Sequence, residues 1–218
     1  MENFGGCTNF KISHFFHKKD QMAEATCELL KSWRDKGIVT KFMRMDNAGE
    51  NKLFKQRARS KYWQLGIQME YTPRDMPQHN HLAELAFSAI GNKGRTMLVR
   101  ANVPLNYHFH LYREAFKTAT DLDGQVKATV NGKRATRYQH MFGSNPWWTK
   151  HLRLFGEAGT VKTATGTSAK LADRGVQCMM VGYAENHDGD VYQMWNPLTQ
   201  RVHVTRDIIW LKQMMLQK

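Results

Sequence analysis

The fold is decided by one stretch of the chain, IVTKFMRMDNAG at residues 38–49. Residues 38–45 predict a strand, and residues 46–49 predict the turn that ends it. Asp46 therefore stands at the carboxyl end of a strand. In α/β folds this is where ligands gather. Asp46 is thus the first position at which a functional side chain is expected.

Helices and strands alternate around this stretch, from residue 8 to about residue 120. Apolar residues at helical spacing predict a helix at 21–36, ended by Gly37, and another that opens at Pro104. The apolar face of the first comprises Met22, Leu29, Leu30 and Trp33, and that of the second comprises Leu105, Phe109, Tyr112 and Phe116. The remaining elements are strands at 8–16 and 67–72 and helices at about 50–65 and 79–101. This alternation predicts an α/β layer.

The character of the sequence changes at about residue 121. Residues 121–150 are rich in turn signals and predict a connector with one short hairpin. Beyond them, strand-like runs dominate and predict a small all-β unit of the barrel type. These runs are 152–155, 159–163, 176–183, 190–195 and 201–210. The sequence therefore predicts three parts: 1–120, 121–150 and 151–218.

The chain is strongly basic, with 32 Lys and Arg against 19 Asp and Glu and a net charge of +13. Such an excess attracts polyanions, with nucleic acid as the first candidate and an anionic membrane surface as the second. No apolar run approaches the length of a membrane span, and residues 1–19 contain no apolar core of a secretory signal. The three cysteines form no CxxC pair, which favours an intracellular, reducing compartment.

Asp46 and Glu84 are the candidate metal-binding carboxylates. Glu84 stands near the start of the helix predicted at 79–101. Carboxylates brought together at a strand end can bind Mg²⁺ or Mn²⁺, and such ions can activate a hydroxyl and stabilise the leaving oxygen of a phosphodiester. Both residues also have a purely structural explanation, since Asp is favoured in turns and Glu in the first turn of a helix. Their spacing alone favours that structural explanation.

The motifs around Asp46 and Glu84 favour the metal-binding explanation over the structural one. RMDNAGEN at 44–51 resembles the DNxGE motif around the second catalytic Asp of copia-type retrotransposon integrases. YTP at 71–73 and PQHNHLAE at 77–84 are similar to the YTPQQNGxAE motif of that family, whose final Glu is the third catalytic acid. His81 departs from the usual Gly of this motif. The resemblance places Asp46 second and Glu84 third in an Asp, Asp, Glu triad.

The resemblance continues through the second half of the chain. HLRLFG at 151–156 is similar to the HLRxFG motif of the family, and residues 170–183 are similar to its KLxxRxxxCxFVGY motif. NPLT at 196–199 and TRDIIW at 205–210 are similar to its last motif. The resemblance implies an RNase H-like mixed sheet flanked by helices, followed by a small β domain. It also implies cutting and joining of DNA with Mg²⁺ or Mn²⁺, element ends and target DNA as partners, self-assembly into multimers, and action in the nucleus.

One departure bears on catalysis. Aligning FFHKK at 15–19 with the FLKxK motif of the family puts the first catalytic Asp at about Gly5, with Gly6 beside it. Glu2 is the only acidic residue before Asp20. In a two-metal centre the first Asp bridges both ions, so its loss predicts weak or absent metal binding and impaired catalysis. The upstream zinc-binding segment of the family has no match here, and we interpret the chain as truncated from a decayed element.

Five basic side chains and one hydroxyl near the two acids are the candidate nucleic-acid contacts. On the predicted helix after Asp46 they are Lys52, Lys55 and Arg57, and on the predicted helix of Glu84 they are Ser88, Lys93 and Arg95. Phosphate contacts of this kind give affinity without sequence preference and weaken with salt. The ordinary alternative is a solvated helix face. Tryptophans in and beside the β region, at 147, 148, 195 and 210, are assigned to the core rather than to base stacking.

Three functions remain open from the sequence. The first is an integrase-derived domain that binds DNA with lost or weakened catalysis. The second is an active strand-transfer enzyme in which Glu2 or upstream sequence supplies the missing carboxylate. The third is a non-catalytic nucleic-acid-binding adaptor that depends on the β domain. A membrane-surface protein ranks last, because the basic residues are too dispersed for a polybasic anchor.

Overall fold

The computed structural model describes residues 7–60, 64–72, 81–162, 175–185 and 187–216. The chain divides into two compact units. The N-terminal unit comprises His14–Ser88, and the C-terminal unit comprises Met1–Ser13 together with Ala89–Lys218. These two units are defined by contacts within the fold and do not test the domain boundaries predicted near residues 120 and 150, which stay predictions.

The described part of the N-terminal unit contains a parallel strand pair, two complete helices and the first turns of a third helix. The elements are α1 (Gln21–Asp35), β1 (Phe42–Met45), α2 (Gly49–Arg59) and β2 (Gln68–Tyr71). Strands β1 and β2 pair in parallel, with Phe42 opposite Gln68 and Met45 opposite Tyr71. A parallel pair needs a crossover, and α2 supplies it. The α/β character predicted for this part is confirmed.

Helix α1 buries a narrower face than its apolar pattern predicts. Its buried residues are Ala23, Cys27 and Leu30, at the spacing of one helical face, whereas Met22 and Leu29 are only half-buried. The small side chains at two of these positions pack in one apolar cluster with Phe54 and Ala58 of α2. The helix ends as predicted, since Gly37 adopts a left-handed φ of 80°.

The strand predicted at residues 8–16 is wrong, because this segment forms no regular secondary structure. Side chains hold its first part instead. Lys11 Nζ donates to Asp123 Oδ2 at 2.7 Å, and Ser13 Oγ donates to Thr120 Oγ1 at 3.0 Å. The ring of Phe10 meets two aromatic rings edge-on. β-propensity expresses packing against a neighbouring strand, and the described residues provide none here.

In the C-terminal unit, two helices approach closely. Helix α3 spans His81–Arg100, of which the residues from Ala89 belong to this unit, and α4 spans Leu105–Asp123. A Cβ on Gly94 would lie only 3.3 Å from the backbone nitrogen of Phe116, so glycine allows the contact. Among described residues, no helix combines the length and the apolar content needed to cross a bilayer.

The apolar stripe predicted for α4 is partly wrong. Leu105 and Phe109 are 85% and 89% exposed, whereas Phe116 is buried. The buried face consists of Leu111, Ala115, Phe116, Thr118, Ala119, Thr120 and Asp123. Thr118 Oγ1 donates to the carbonyl of Val181 at 2.8 Å, which satisfies a polar group inside the core. Small and polar residues therefore make up most of the buried face of α4, whereas the sequence pattern predicts large apolar residues there.

The connector contains the predicted hairpin and two short helical segments. Strands β3 (Lys127–Val130) and β4 (Lys133–Thr136) pair antiparallel, followed by α5 (Arg137–Phe142) and a 3-10 helix at Trp147–His151. Asn131 and Gly132 between the strands have φ values of 50° and 76°, as a tight type I′ hairpin turn requires.

The remainder of this unit is a five-stranded antiparallel sheet. Its strands are β5 (Glu157–Lys162), β6 (Gly175–Tyr183), β7 (Tyr192–Asn196), β8 (Arg201–Thr205) and β9 (Ile208–Met214). Their order across the sheet is β8-β7-β6-β5-β9. The all-β character predicted for this part is confirmed.

Two of the runs predicted as strands need correction. The run at 201–210 divides at a bend, and its halves β8 and β9 lie at opposite edges of the sheet. The run at 152–155 is not a strand. Its backbone is bound by side chains, since Arg153 N donates to Tyr183 Oη at 3.1 Å and Leu154 N donates to Glu157 Oε2 at 3.3 Å.

Methionine and tryptophan fill the core of the sheet. Met179, Met180 and Met194 are fully buried, and Trp195 is 1% exposed. The assignment of tryptophans to the core holds for most of them, since Trp148 stacks on Tyr183 and Trp210 meets Tyr192 edge-on. It is wrong for Trp147, which is 65% exposed.

Asp123, at the end of α4, binds three cations. Its side chain is 4% exposed and forms ion pairs with Lys11, Lys93 and Arg137. Burial raises the pKa of this carboxyl, but the hydrogen bonds from the three cations outweigh burial and bring the pKa down to about 2. Asp123 thereby joins the N-terminal segment, α3, α4 and α5.

We expect Asp123→Asn to lower the free energy of unfolding by about 3 kcal/mol at neutral pH, because it leaves three cations without their buried counter-charge. The pKa is lowered on folding, so the carboxylate stabilises the fold above its ordinary pKa of 3.8 and this contribution is lost as pH falls toward 2. Urea unfolding of both proteins at several pH values tests this. The exposed Asp207→Asn is the control, and equal stability of Asp123→Asn and wild type at neutral pH would contradict it.

Candidate functional site

Asp46 lies where the sequence predicts, directly after β1 and before α2. Its Oδ1 accepts a hydrogen bond from the backbone nitrogen of Ala48 at 3.3 Å and a second, short one from Nδ2 of Asn51. The same amide donates to the Asp46 carbonyl at 3.1 Å. One carboxylate oxygen therefore already has two donors, as in an Asx turn at a helix start.

The end of β2 reinforces this edge of the strand pair. The backbone nitrogen of Thr72 donates to the Met45 carbonyl at 2.9 Å, and the hydroxyl of Tyr71 donates to the Asn51 carbonyl at 3.3 Å. The two strands are parallel, so their carboxyl ends meet at one edge. Asp46 is thus held on a defined backbone and is exposed to solvent.

Glu84 lies in the first turn of α3, as predicted, and is exposed. The neighbouring Leu82 and Ala83 line an open groove of about 660 Å³ together with β1 and β2. The other described residues that line this groove are Phe42, Met43, Arg44, Gln68, Met69 and Glu70. The start of α3 therefore lies beside the strand pair. That the carboxylates of Asp46 and Glu84 lie close together stays a prediction.

The described residues provide two candidate ligands, Asp46 and Glu84, for a divalent metal ion. Among the described residues, no group of three or more His, Cys, Asp or Glu side chains is placed to hold a metal ion. One oxygen of Asp46 is engaged by Asn51 and Ala48, and divalent ions of this class need several oxygen ligands. Gly5 and Gly6, where the first acid was expected, lie outside the described residues, so that expectation stays a prediction.

The candidate nucleic-acid residues of α2 differ in their exposure and in the contacts that they already make within the protein. Lys52 is exposed, whereas Lys55 lies 4.9 Å from the ring centre of Tyr71 and Arg57 pairs with Glu24 at 3.2 Å. Exposed ion pairs of this kind are weak, so a phosphate can compete for the guanidinium. All three remain candidate contacts, with Lys52 the most available.

On α3, the candidates also divide. Ser88 is exposed, and Arg95 hydrogen-bonds Asn92 at 2.6 Å on the surface of the helix. Lys93 is bound to Asp123 and its side chain is 46% exposed. The ammonium of Lys93 therefore has a structural partner, which the sequence did not indicate because Asp123 lies 30 residues away.

A second concave surface, on the five-stranded sheet, was not found from the sequence. It is a groove of about 720 Å³ whose described lining includes Lys162, Cys178, His203 and Asp207. Burial raises the pKa of the Cys178 thiol to about 11, so this thiol stays protonated. No sequence signal marks the groove, because its lining comes from β5, β6, β7 and β8, which meet only in the folded sheet.

Two comparisons with known proteins bear on this site. Residues 160–217 match the retroviral polymerase SH3-like domain. Over 184 residues the chain is 28% identical to the retrovirus-related Pol polyprotein from transposon TNT 1-94 of Nicotiana tabacum. The alignment covers 81% of this chain and 13% of that polyprotein, so the chain corresponds to a small part of its relative.

The structure agrees with these comparisons at the level of the fold. A mixed α/β part is followed by a five-stranded antiparallel SH3-like domain that begins in β5. The chain is therefore similar to a region of a retrotransposon Pol polyprotein, with an SH3-like domain at its C-terminal end.

Substitutions at Asp46 separate its role in the turn from a role in metal binding. Asp46→Asn keeps an oxygen acceptor, so we expect an unchanged thermal midpoint, whereas Asp46→Ala loses both hydrogen bonds and lowers the midpoint by about 3 °C. Differential scanning fluorimetry measures both. Glu84→Gln, at an exposed position, is the control and should leave the midpoint unchanged; a fully stable Asp46→Ala would exclude the role in the turn.

Proposed function

We propose that this chain is a DNA-binding protein derived from a retrotransposon integrase, with its metal-dependent strand-transfer chemistry impaired. The observation that carries the proposal is the ordered set of integrase-like motifs around Asp46 and Glu84, within a chain similar to a Pol polyprotein over 81% of its length. The SH3-like domain at residues 160–217 supports the same origin.

The geometry around Asp46 supports retention of the ancestral scaffold. An acid at the carboxyl end of a strand, followed by a basic helix that forms a crossover, is the arrangement that the motif resemblance implies. The hydrogen bonds that Asp46 accepts from Ala48 and Asn51 order this turn through contacts within the chain. Preservation of the scaffold and loss of the chemistry are therefore compatible.

The donor set supports impaired catalysis. Two carboxylates replace the three of the family, and the aligned position of the first acid is Gly5. Glycine supplies no ligand, and divalent ions bound by two exposed carboxylates exchange readily with water.

The charge supports DNA as the partner. A net charge of +13 on 218 residues favours association with a polyanion, and Lys52 and Ser88 are exposed beside the acids along the chain. We propose element ends and target DNA as the bound species, multimers on DNA as the working assembly, and the nucleus as the compartment. The alternative is a nucleic-acid-binding adaptor that depends on the SH3-like domain alone.

A strand-transfer assay with a donor DNA end and Mn²⁺ tests the state of catalysis. We expect product at background for the wild type and for Asp46→Asn alike, because the centre lacks its bridging acid. DNA binding should persist in both and fall steeply with salt. Product above background that Asp46→Asn abolishes would support an active enzyme instead. A flat salt response would contradict phosphate-driven binding.

Restoration of the missing acid tests the alignment that places it. We expect Gly5→Asp or Gly6→Asp to raise the affinity for Mn²⁺ by about tenfold or more in calorimetry, because a third carboxylate adds an oxygen ligand and a charge. The matched control combines each substitution with Glu84→Gln, which should reverse the gain. Unchanged affinity in both single variants would show that the lost acid lay elsewhere.

A further inference from the structure

Positive charge dominates the chain from Gly124, within the connector, to Gly156. Residues 124–156 contain six Lys or Arg and no Asp or Glu. Two of the six are engaged, since Arg137 binds Asp123 and Arg153 pairs with Glu157 at 3.4 Å and lies over the Trp210 ring. The remaining four are exposed, and three of these lie on the hairpin: Lys127, Lys133 and Arg134, with Lys150 farther along.

The three hairpin cations point in two directions. Strand register pairs Thr129 with Arg134 and Val130 with Lys133. Neighbouring residues of a strand point to opposite faces, so Arg134 and Lys133 lie on opposite faces near the turn. Lys127, two residues from Thr129, shares the face of Arg134. Within the described part of the chain none of the three has an ion-pair partner.

The hairpin is held firmly at its base. The backbone nitrogen of Arg137 donates to the Val126 carbonyl at 3.0 Å, and that of Tyr138 donates to the Gly124 carbonyl at 2.8 Å. A ring nitrogen of His140 lies 3.0 Å from the Ala128 carbonyl. A preorganised ribbon loses little conformational entropy when it binds.

We propose that the β3–β4 hairpin is a contact site for duplex DNA, in which the cations on its two faces bind the phosphates on the two sides of one major groove. A two-stranded ribbon fits the major groove, which is about 12 Å wide. Cations on opposite faces match two phosphate backbones. Single-stranded nucleic acid is bound by stacking on aromatic residues, and β3, β4 and their turn contain none.

This inference deepens the proposed function, on which it rests for the partner. It places a DNA contact outside the predicted set on α2 and α3. It also assigns a DNA-binding role to the connector, for which the sequence predicts only a linking function. Since phosphate contacts carry no sequence information, the hairpin contributes affinity and register rather than choice of site.

Fluorescence anisotropy of the full chain with a labelled duplex of about 20 base pairs tests the inference. The variant combines Lys127→Gln, Lys133→Gln and Arg134→Gln, and the control combines Lys18→Gln, Lys36→Gln and Lys41→Gln. Both remove the same charge at exposed positions. We expect the hairpin variant to bind about tenfold or more weakly near 100 mM salt, and the slope of log K against log salt to decrease by about two to three.

The control should change much less in both quantities. Circular dichroism and urea unfolding verify the fold, and the double variant Lys133→Gln, Arg134→Gln provides a second measurement if the triple variant is unstable. Equal losses in variant and control overturn the hairpin site while DNA binding by the protein stands. Wild type that fails to bind duplex overturns both the hairpin site and the proposed function.

Two further arms use other polyanions. A single strand of the same length should bind more weakly than the duplex, and its tighter binding overturns the assignment to a duplex groove. Vesicles of phosphatidylcholine with phosphatidylserine should not distinguish the hairpin variant from the control. A loss confined to vesicles, with duplex binding intact, overturns the proposal in favour of a membrane surface.

Discussion

The C-terminal unit depends on one buried carboxylate. Asp123 receives Lys11 from the N-terminal segment, Lys93 from α3 and Arg137 from the start of α5. Isolated, such a charge would be costly to bury, and three cations at once reverse that cost. The consequence is mechanical as well as energetic. A segment without secondary structure, two helices and the hairpin base are joined at one point, so each constrains the others.

The same junction explains how the basic residues are divided. The three cations bound to Asp123 stabilise the fold, although one of them, Lys93, is among the predicted DNA contacts. Lys127, Lys133 and Arg134 are exposed and have no ion-pair partner in the described structure, so their charges can attract a polyanion. Net charge alone does not distinguish the two groups. The positions of the acidic partners do distinguish them, and they favour the β3–β4 hairpin over Lys93 of α3 as a DNA contact.

At the other candidate site, the Asp46 carboxylate stabilises the turn in which it lies. Asp46 Oδ1 caps its own turn and accepts from Asn51, which orders the start of α2. The mixed α/β part and the five-stranded sheet accord with the similarity of this chain to a region of a retrotransposon Pol polyprotein and with the SH3-like match at residues 160–217.

Local pattern by itself determined much of this protein. Helical periodicity and the glycine at 37 specified α1, turn residues at 131–132 specified the β3–β4 hairpin, and ordered motifs specified Asp46 and Glu84 as the candidate acids. These features depend on neighbours within a few residues, which a sequence displays directly. Tertiary structure decided the rest. Within the described residues the segment at 8–16 has no partner strand, and Leu105 and Phe109 are exposed on α4. The ion pairs of Asp123 join residues 14 to 112 positions apart. Burial and charge pairing are properties of distance in space, and no local pattern encodes which distant residues will meet.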